Sequence, residues 1–238
     1  MDRLMSLAAR HKLWVIEDCA EAHGAKVGKK VVGSFGDLAC FSFYANKILT
    51  TGEGGMVLTN NDMFAQKLGL LRNLGFQKPR FYHDVAGFNF RMTGYQAAMG
   101  LAQLRKLERI IEKKRAVASY YYTYLRNIPD IRLPKEPLCG RHVHWMYGVL
   151  LNRSMDGAYR DRLAGRLADM DIETRTFFCP MNIQPCLKDV AGYRSISCPV
   201  AEYLWTHGLY LPSSPHLSEG DVRTISETFR RALEETHC

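Results

Sequence analysis

The chain has 238 residues, of which 47% are hydrophobic and 24% are charged, and these proportions exclude a disordered or collagen-like protein. No uncharged apolar segment approaches the roughly 18 residues that span a membrane, and the N-terminus lacks the apolar core of a signal peptide. The formal net charge of +8 suits an anionic partner, either nucleic acid, acidic lipid or a phosphorylated small molecule. Because no membrane segment or signal peptide is found, we expect a cytoplasmic protein. The length suffices for one large domain or two small ones.

The seven cysteines are scattered along the chain without any Cys-x-x-Cys pair. This spacing indicates reduced thiols rather than a disulfide framework or a zinc ribbon. Cys139, His142 and His144 are close in sequence, but no further ligands complete a site at zinc spacing. We expect no metal.

The first part of the chain alternates apolar runs with glycine-rich turns, which is typical of an α/β sheet. Residues 1–13 are predicted to be helical, and buried strands are predicted over 13–16, 38–43 and 56–59. A helix capped by Asp62 is expected to run to about Asn73.

The second part of the chain begins with a long helical pattern. Apolar positions recur every three or four residues from 94 to about 127, which predicts one amphipathic helix. Beyond it we predict strands over 143–151 and 172–177 and helices over 159–170, 199–206 and 219–235. Ser218 and Asp221 have the spacing of a capping box for the last helix.

Asp18 and Lys47 are the first candidates for chemistry, because each follows an apolar strand. Open α/β sheets bind ligands at the carboxyl ends of their strands, although an acid there is more often a helix cap or a solvated loop residue. A lysine held in an apolar pocket loses part of the stabilisation of its ammonium form, so its amine becomes a nucleophile toward aldehydes. From spacing alone, a surface lysine at a strand end is an equally good interpretation of Lys47.

Four segments of the chain together resemble the DegT-type sugar aminotransferases. They are residues 17–24 (EDCAEAHG), 32–37 (VGSFGD), 41–57 (FSFYANKILTTGEGGMV) and 87–93 (GFNFRMT), and the resemblance continues through 144–148, 173–181 and 208–213. It implies an α/β fold of the aspartate-aminotransferase type (fold type I) and pyridoxal 5′-phosphate (PLP) as cofactor. It also implies that residues 1–115 are the C-terminal part of the PLP-binding large domain and that 116–238 form a C-terminal small α+β domain.

The resemblance assigns roles to five residues. Lys47 matches the lysine that binds the cofactor covalently and then moves a proton between the substrate carbon and cofactor C4′. Asp18 matches the acid that pairs with the pyridine nitrogen, and Ser42 matches a hydroxyl donor to the cofactor phosphate. Glu21 lies where many relatives carry a glutamine beside the cofactor ring. Asn89 matches an amide that reaches the phosphate in a neighbouring subunit, which implies a homodimer with shared active sites.

Weaker candidates for contacts with substrate or phosphate are His83, Arg91, Trp145, Arg175 and His207. A tryptophan within an apolar strand is more often part of the core, so we expect Trp145 to be a core residue.

The resemblance also suggests a substrate. Glu21 and residues 78–93 look most like the perosamine synthases, which aminate the 4-keto group of GDP-4-keto-6-deoxymannose with glutamate as donor. A related dehydratase branch replaces the lysine with histidine, so Lys47 favours transamination. We therefore expect a nucleotide-diphosphate keto sugar and glutamate as substrates, in the biosynthesis of a surface polysaccharide or a related glycan.

Two other hypotheses remain. The family places a substantial segment before the aspartate motif, including a helix start that binds the cofactor phosphate, and we expect this chain to lack that segment. A truncated, catalytically silent member that serves as an interaction module, or as one half of a split enzyme, is therefore the second hypothesis. The third is a basic nucleic-acid-binding protein, although the sequence has no helix-turn-helix or stacked-aromatic signature. We expect neither nucleic acid nor a membrane as partner.

Overall fold

The computed structural model describes residues 1–152, 158–190 and 196–237. The chain divides into two compact units, Met1–Ile111 with Glu136–Trp145, and Glu112–Lys135 with Met146–Cys238. Among the described residues, no helix combines the length and the apolar character needed to cross a bilayer.

In chain order the elements are α1 (Asp2–His11), β1 (Ile16–Asp18), β2 (Lys26–Val27), β3 (Lys30–Val31), β4 (Leu38–Ser42), β5 (Gly55–Leu58), α2 (Asp62–Arg72), α3 (Gly94–Leu104), α4 (Leu107–Leu125), β6 (Ile131–Arg132), β7 (Gly140–Arg141), β8 (Tyr147–Leu151), α5 (Tyr159–Asp169), β9 (Arg175–Thr176), α6 (Pro199–His207), β10 (Gly208–Leu211) and α7 (Glu219–His237). Two short 3-10 helices cover Met181–Ile183 and Pro185–Leu187.

The first unit contains two three-stranded sheets. One has the order β1-β4-β5, with β1 parallel and β5 antiparallel to β4, and this register sets Asp18 opposite Cys40. The other has the order β3-β2-β7, with both pairs antiparallel. Because β1 and β4 are parallel, their carboxyl ends lie at the same edge of the sheet, where ligand sites of α/β proteins form.

A partly buried network around Glu17 fixes the turn before β4. The Glu17 Oε1 accepts hydrogen bonds from the backbone N–H groups of Phe35 and Gly36, both at 2.7 Å, and Oε2 accepts one from Gly33 at 2.8 Å. Gly33 has a φ of +86°, and a Cβ there would lie 2.7 Å from the Phe41 ring, so only glycine fits. Two of the sequence segments that carry the resemblance, 17–24 and 32–37, are thus joined by one carboxylate.

The second unit is built on a four-stranded antiparallel sheet of order β6-β8-β10-β9. Side chains from this sheet and from α4, α5 and α7 form one hydrophobic core, whose fully buried members include Tyr121, Leu163, Val149, Leu209 and Phe229. The alternating burial of β8 follows from a strand with one face toward this core.

Lys114 on α4 is a buried charged residue of the second unit. Its Nζ donates hydrogen bonds to the backbone carbonyl of Ser213 and, at 3.2 Å, to the Ser213 hydroxyl. Burial lowers the pKa of Lys114 to about 8. On the same helix the Tyr121 hydroxyl donates to the Pro212 carbonyl at 2.7 Å, so α4 is fastened to the loop that follows β10.

Several predicted elements are confirmed. Helices α1, α2, α5, α6 and α7 all begin and end within two residues of the predicted bounds. The capping box is present, because the Ser218 Oγ accepts from the Asp221 N–H at 3.2 Å and the Asp221 carboxylate accepts from the Ser218 N–H at 2.8 Å. The α2 cap is Asn61 instead of Asp62, since its Oδ1 accepts from the N–H groups of Met63 and Phe64.

The single helix predicted over 94–127 is wrong. The structure has two helices, which are interrupted by a turn in which the Lys106 N–H bonds the Gln103 carbonyl at 2.8 Å. The Gln103 side chain accepts from the Thr50 N–H at 3.1 Å and donates to the Thr50 carbonyl at 2.7 Å. The end of α3 is therefore bound to the turn that follows Lys47, a tertiary contact that helical periodicity does not reveal.

The predicted burial of two strands is also wrong. Strand β1 begins only at Ile16, and Trp14 and Ile16 are 68% and 63% exposed, while all four residues of β5 are exposed. The predicted strands over 143–151 and 172–177 are shorter, being Tyr147–Leu151 and Arg175–Thr176. An apolar run predicts a strand, whereas its burial depends on what packs over it.

The Glu17→Gln variant is expected to lower the free energy of unfolding by about 2 kcal/mol, because an amide presents one acceptor atom to three backbone donors. Urea denaturation followed by circular dichroism measures the loss. The control is Glu53→Gln, on an exposed turn. Among the described residues, the hydrogen bonds to Glu53 go to its backbone carbonyl, which the substitution keeps. Equal stability of the two variants would contradict the assigned role of Glu17.

Candidate active site

Asp18 lies at the carboxyl end of β1, as the sequence predicts. Its side chain is exposed, and Oδ1 accepts a hydrogen bond from the Ala20 N–H at 3.1 Å. The short turn that follows carries Glu21, and the parallel partner β4 ends at Ser42. The two strands thus bring a carboxylate and a hydroxyl to one edge of the sheet.

Lys47 lies in the turn after β4 and is the most enclosed charged group of the candidate site. Its side chain is only 10% exposed, and Nζ is 3.2 Å from Glu21 Oε1. The same Nζ lies 4.0 Å from the centroid of the Trp145 ring. A carboxylate and an aromatic face therefore surround Nζ, in place of the purely apolar pocket that the sequence suggests.

Ser42 is half-buried at the end of β4. Its Oγ accepts a hydrogen bond from the Tyr44 N–H at 3.3 Å, which leaves the hydroxyl proton available for an anion.

Asn89, Arg91 and His83 lie on the segment between α2 and α3, and all three are exposed. The Asn89 amide oxygen accepts from Arg91 Nε at 3.2 Å, and Asn89 forms a backbone bridge with Asn73. The His83 ring lies 5.3 Å from that of Phe76. Among the described residues, no hydrogen bond or ion pair joins any of the three to Lys47.

Arg175 belongs to the second unit, where it is an exposed residue of β9 paired with Tyr210. The histidine pair in 142–144 belongs to the first unit, with its rings 4.3 Å apart and His144 Nε2 3.3 Å from Glu136 Oε1. Among the described residues, no group of three or more histidine, cysteine or acidic side chains is arranged to hold a metal ion.

His23 is a residue of this region whose position the sequence did not predict. It is 4% exposed, and neither ring nitrogen has a hydrogen-bond partner among the described residues. Its ring lies 5.4 Å from that of Phe41 and 5.9 Å from that of Phe43. Burial lowers the pKa of His23, the Lys47 charge acts in the same direction, and the Ser42 backbone opposes the shift.

Comparison with known proteins identifies the family of this chain. The model of the DegT/DnrJ/EryC1/StrS aminotransferase family matches residues 1–230. The chain belongs to that family. Aminotransferases of this family depend on PLP.

Two relatives and one solved structure illustrate the similarity. The GDP-perosamine synthase of Caulobacter vibrioides is 42% identical over 235 residues, which cover 98% of this chain and 62% of that protein. The GDP-perosamine synthase of Escherichia coli O157:H7 is 39% identical over 229 residues, covering 96% and 60%. The structure of S. venezuelae DesV in complex with a ketimine intermediate has a TM-score of 0.87 at 32% identity, covering 98% of this chain and 62% of that one.

The predicted α/β aminotransferase fold is therefore confirmed. The chain spans about three fifths of the length of the curated relatives it matches.

The residues of the candidate site fit PLP. An amine, a carboxylate and a hydroxyl suit the cofactor's aldehyde, ring nitrogen and phosphate, and Lys47, Asp18 and Ser42 supply these groups at the ends of neighbouring parallel strands. The unpartnered nitrogens of His23 lie in the same region, where they can meet a polar ligand atom.

A His23→Leu variant tests the state of the buried histidine. Because the folded-state pKa lies below 6.5, the unfolded chain binds the extra proton first, so wild-type stability falls as pH drops through 6.5. The variant loses this contribution, and its stability relative to wild type is expected to rise by up to about 1.4 kcal/mol for each pH unit below 6.5. Urea unfolding across that pH range measures the difference. The control is His216→Gln at an exposed position, and its stability across this pH range is expected to match that of wild type. If the stabilities of His23→Leu and wild type instead change in parallel with pH, a histidine that stays neutral when buried is refuted.

Proposed function

We propose that this chain carries the catalytic lysine of a PLP-dependent aminotransferase that moves an amino group from glutamate to a nucleotide-linked 4-keto-6-deoxy sugar. The observation that supports it is the enclosed Lys47, paired with Glu21 in the turn that follows Asp18. Identity of 42% with a GDP-perosamine synthase favours GDP-4-keto-6-deoxymannose as the sugar nucleotide.

Each site residue has a proposed task in this reaction. When bound, PLP withdraws electrons from the carbon that bears the amino group. The Asp18 carboxylate holds the proton on the ring nitrogen, and the Ser42 hydroxyl binds the phosphate. Lys47 Nζ attaches the cofactor and then moves a proton at the substrate carbon.

Glu21 has a further task before the lysine can react. An ammonium is not a nucleophile, so Lys47 must lose a proton before its amine attacks a carbonyl carbon. The Glu21 carboxylate is a base 3.2 Å from Nζ and is 48% exposed, so a proton placed on it can pass to water.

The substrate and the assembly are also part of the proposal. The net charge of +8 favours approach of a nucleotide diphosphate. His83, Arg91 and Arg175 are exposed groups suited to phosphate or carboxylate, and we assign them to substrate binding. The exposed amide of Asn89 is assigned to the cofactor phosphate of a second copy in a homodimer.

The cofactor assignment predicts a covalent label at one position. After incubation of the chain with PLP and reduction with borohydride, peptide mapping is expected to find the pyridoxyl group on Lys47. The same treatment of a Lys47→Arg variant is expected to give no label in that peptide, while labelling elsewhere stays at background. A label mainly on another lysine would remove Lys47 from the proposed role.

The assignment of Asp18 predicts a loss of rate with retention of cofactor. In a chain that takes PLP on Lys47, Asp18→Asn is expected to slow half-transamination by glutamate about a hundredfold, or about 3 kcal/mol, because the ring nitrogen loses its charged partner. Single-turnover absorbance measures the rate. Asp62→Asn, on the exposed first turn of α2, is the control, and a near-normal rate for Asp18→Asn would exclude the role.

A second candidate function is a catalytically silent interaction module or one half of a split enzyme. It is favoured by the exposed apolar residues of β1 and β5. Melting of the chain with and without excess PLP separates the candidates, because a ligand stabilises only a protein that binds it. A melting temperature that PLP leaves unchanged, with no label on Lys47, favours the second function.

A further inference from the structure

Trp145 makes two contacts that a packing residue of the core does not need. Its Nε1 donates a hydrogen bond to the Asn46 carbonyl at 2.8 Å, and its ring faces Lys47 Nζ at 4.0 Å. One buried side chain therefore touches both the backbone just before the lysine and the far end of that lysine's side chain.

A lysine side chain is flexible, and holding it in one conformation costs rotamer entropy. In this structure Lys47 has defined partners for its charged end, the Glu21 carboxylate and the Trp145 ring. Glu21 is half-exposed, so its attraction for the ammonium is weakened by water. The ring contact is buried, where a cation–π interaction is stronger than at an exposed site.

The segment that carries Trp145 is fastened to the turn that carries Glu21. Arg141 donates to both oxygens of Glu108, at 2.6 and 2.9 Å, and to the Gly24 carbonyl at 2.7 Å. Strand β7 in the same segment pairs with β2. The backbone that carries the indole is therefore fixed by these hydrogen bonds. A residue that positions another side chain needs such support.

We propose that Trp145 is a positioning residue that sets the place of Lys47 Nζ through its ring face and through its hydrogen bond to Asn46. The proposal rests on the proposed function, in which that nitrogen reacts with the cofactor aldehyde. While Nζ is held against the ring and the carboxylate, its amine is less accessible to other electrophiles, which attack it only after Nζ has left these contacts and lost a proton. Removal of the ring is thus expected to raise the general reactivity of Lys47.

Limited acetylation of the cofactor-free chain with acetic anhydride tests this reactivity. Mass spectrometry compares the rate at Lys47 with the rate at Lys67, an exposed lysine of α2 in the same molecule. Trp145→Leu is expected to raise the Lys47 to Lys67 ratio about tenfold, which corresponds to about 1.4 kcal/mol. Trp145→Phe, which keeps an aromatic face and loses the N–H donor, is expected to give a smaller rise of about threefold.

The matched control is Trp14→Leu, which removes an exposed tryptophan and is expected to leave the ratio unchanged. Circular dichroism checks that each variant is folded, and if Trp145→Leu does not fold, Trp145→Met replaces it with a flexible apolar side chain. An unchanged ratio, or equal acceleration of both lysines, would overturn the proposal, because a purely structural role loosens the whole unit.

The outcome is separable from that of the proposed function. If wild-type Lys47 takes the pyridoxyl label and the acetylation ratio does not respond to residue 145, the positioning role alone fails. If the ratio responds as expected and wild type takes no label at Lys47, the positioning role stands and the cofactor assignment fails.

Discussion

The carboxylate of Glu17 holds together the two segments on which the candidate site depends. It accepts three backbone hydrogen bonds from the turn before β4, and so fixes the start of β4 beside β1. Bonds from backbone N–H groups to an ionised acceptor are stronger than those to a neutral one. The positions of Asp18 and Ser42 both follow from this pairing, since each ends one of the two strands.

The sequence proposes residues for the candidate site but does not predict the contacts among them. Asp18, Glu21 and Lys47 can be named because each lies in a short motif with a fixed place relative to a strand. The ion pair between Glu21 and Lys47 joins residues 26 positions apart, and the Trp145 indole bonds a carbonyl 99 positions away. Such contacts depend on the path of the whole chain, which local patterns do not encode.

Local sequence signals predict most of the elements correctly, and their limits explain the predictions that are wrong. The capping box at Ser218 marks the start of α7 correctly, because it is a self-contained set of hydrogen bonds. Periodicity does not show the break between α3 and α4, which lies beside hydrogen bonds between Gln103 and Thr50, residues 53 positions apart. The predicted burial of β5 is wrong because apolar character alone does not supply a covering layer. The division into domains near residue 115 stays a prediction.

Lys47 must be held in place in the resting chain and must also be able to react. Lys47 Nζ is held between a carboxylate and an aromatic face, whereas the proposed chemistry needs this nitrogen to attack a carbonyl carbon. The two are compatible if the nitrogen leaves these contacts only when an aldehyde competes for it. In that case the same contacts that order the side chain also keep it from reacting with other carbonyl compounds.

The strand order of the second unit determines when this unit can fold during synthesis. Strand β10 comes last in the chain, at residues 208–211, yet it lies between β8 and β9 in the sheet. A ribosome must therefore make more than 200 residues before the central pairing can form. Until then, among the described residues, β8 can pair with β6 but lacks its other strand neighbour. The nascent chain carries this unpaired strand edge while the roughly 60 residues from the end of β8 to the end of β10 are made, a period in which such an edge favours association.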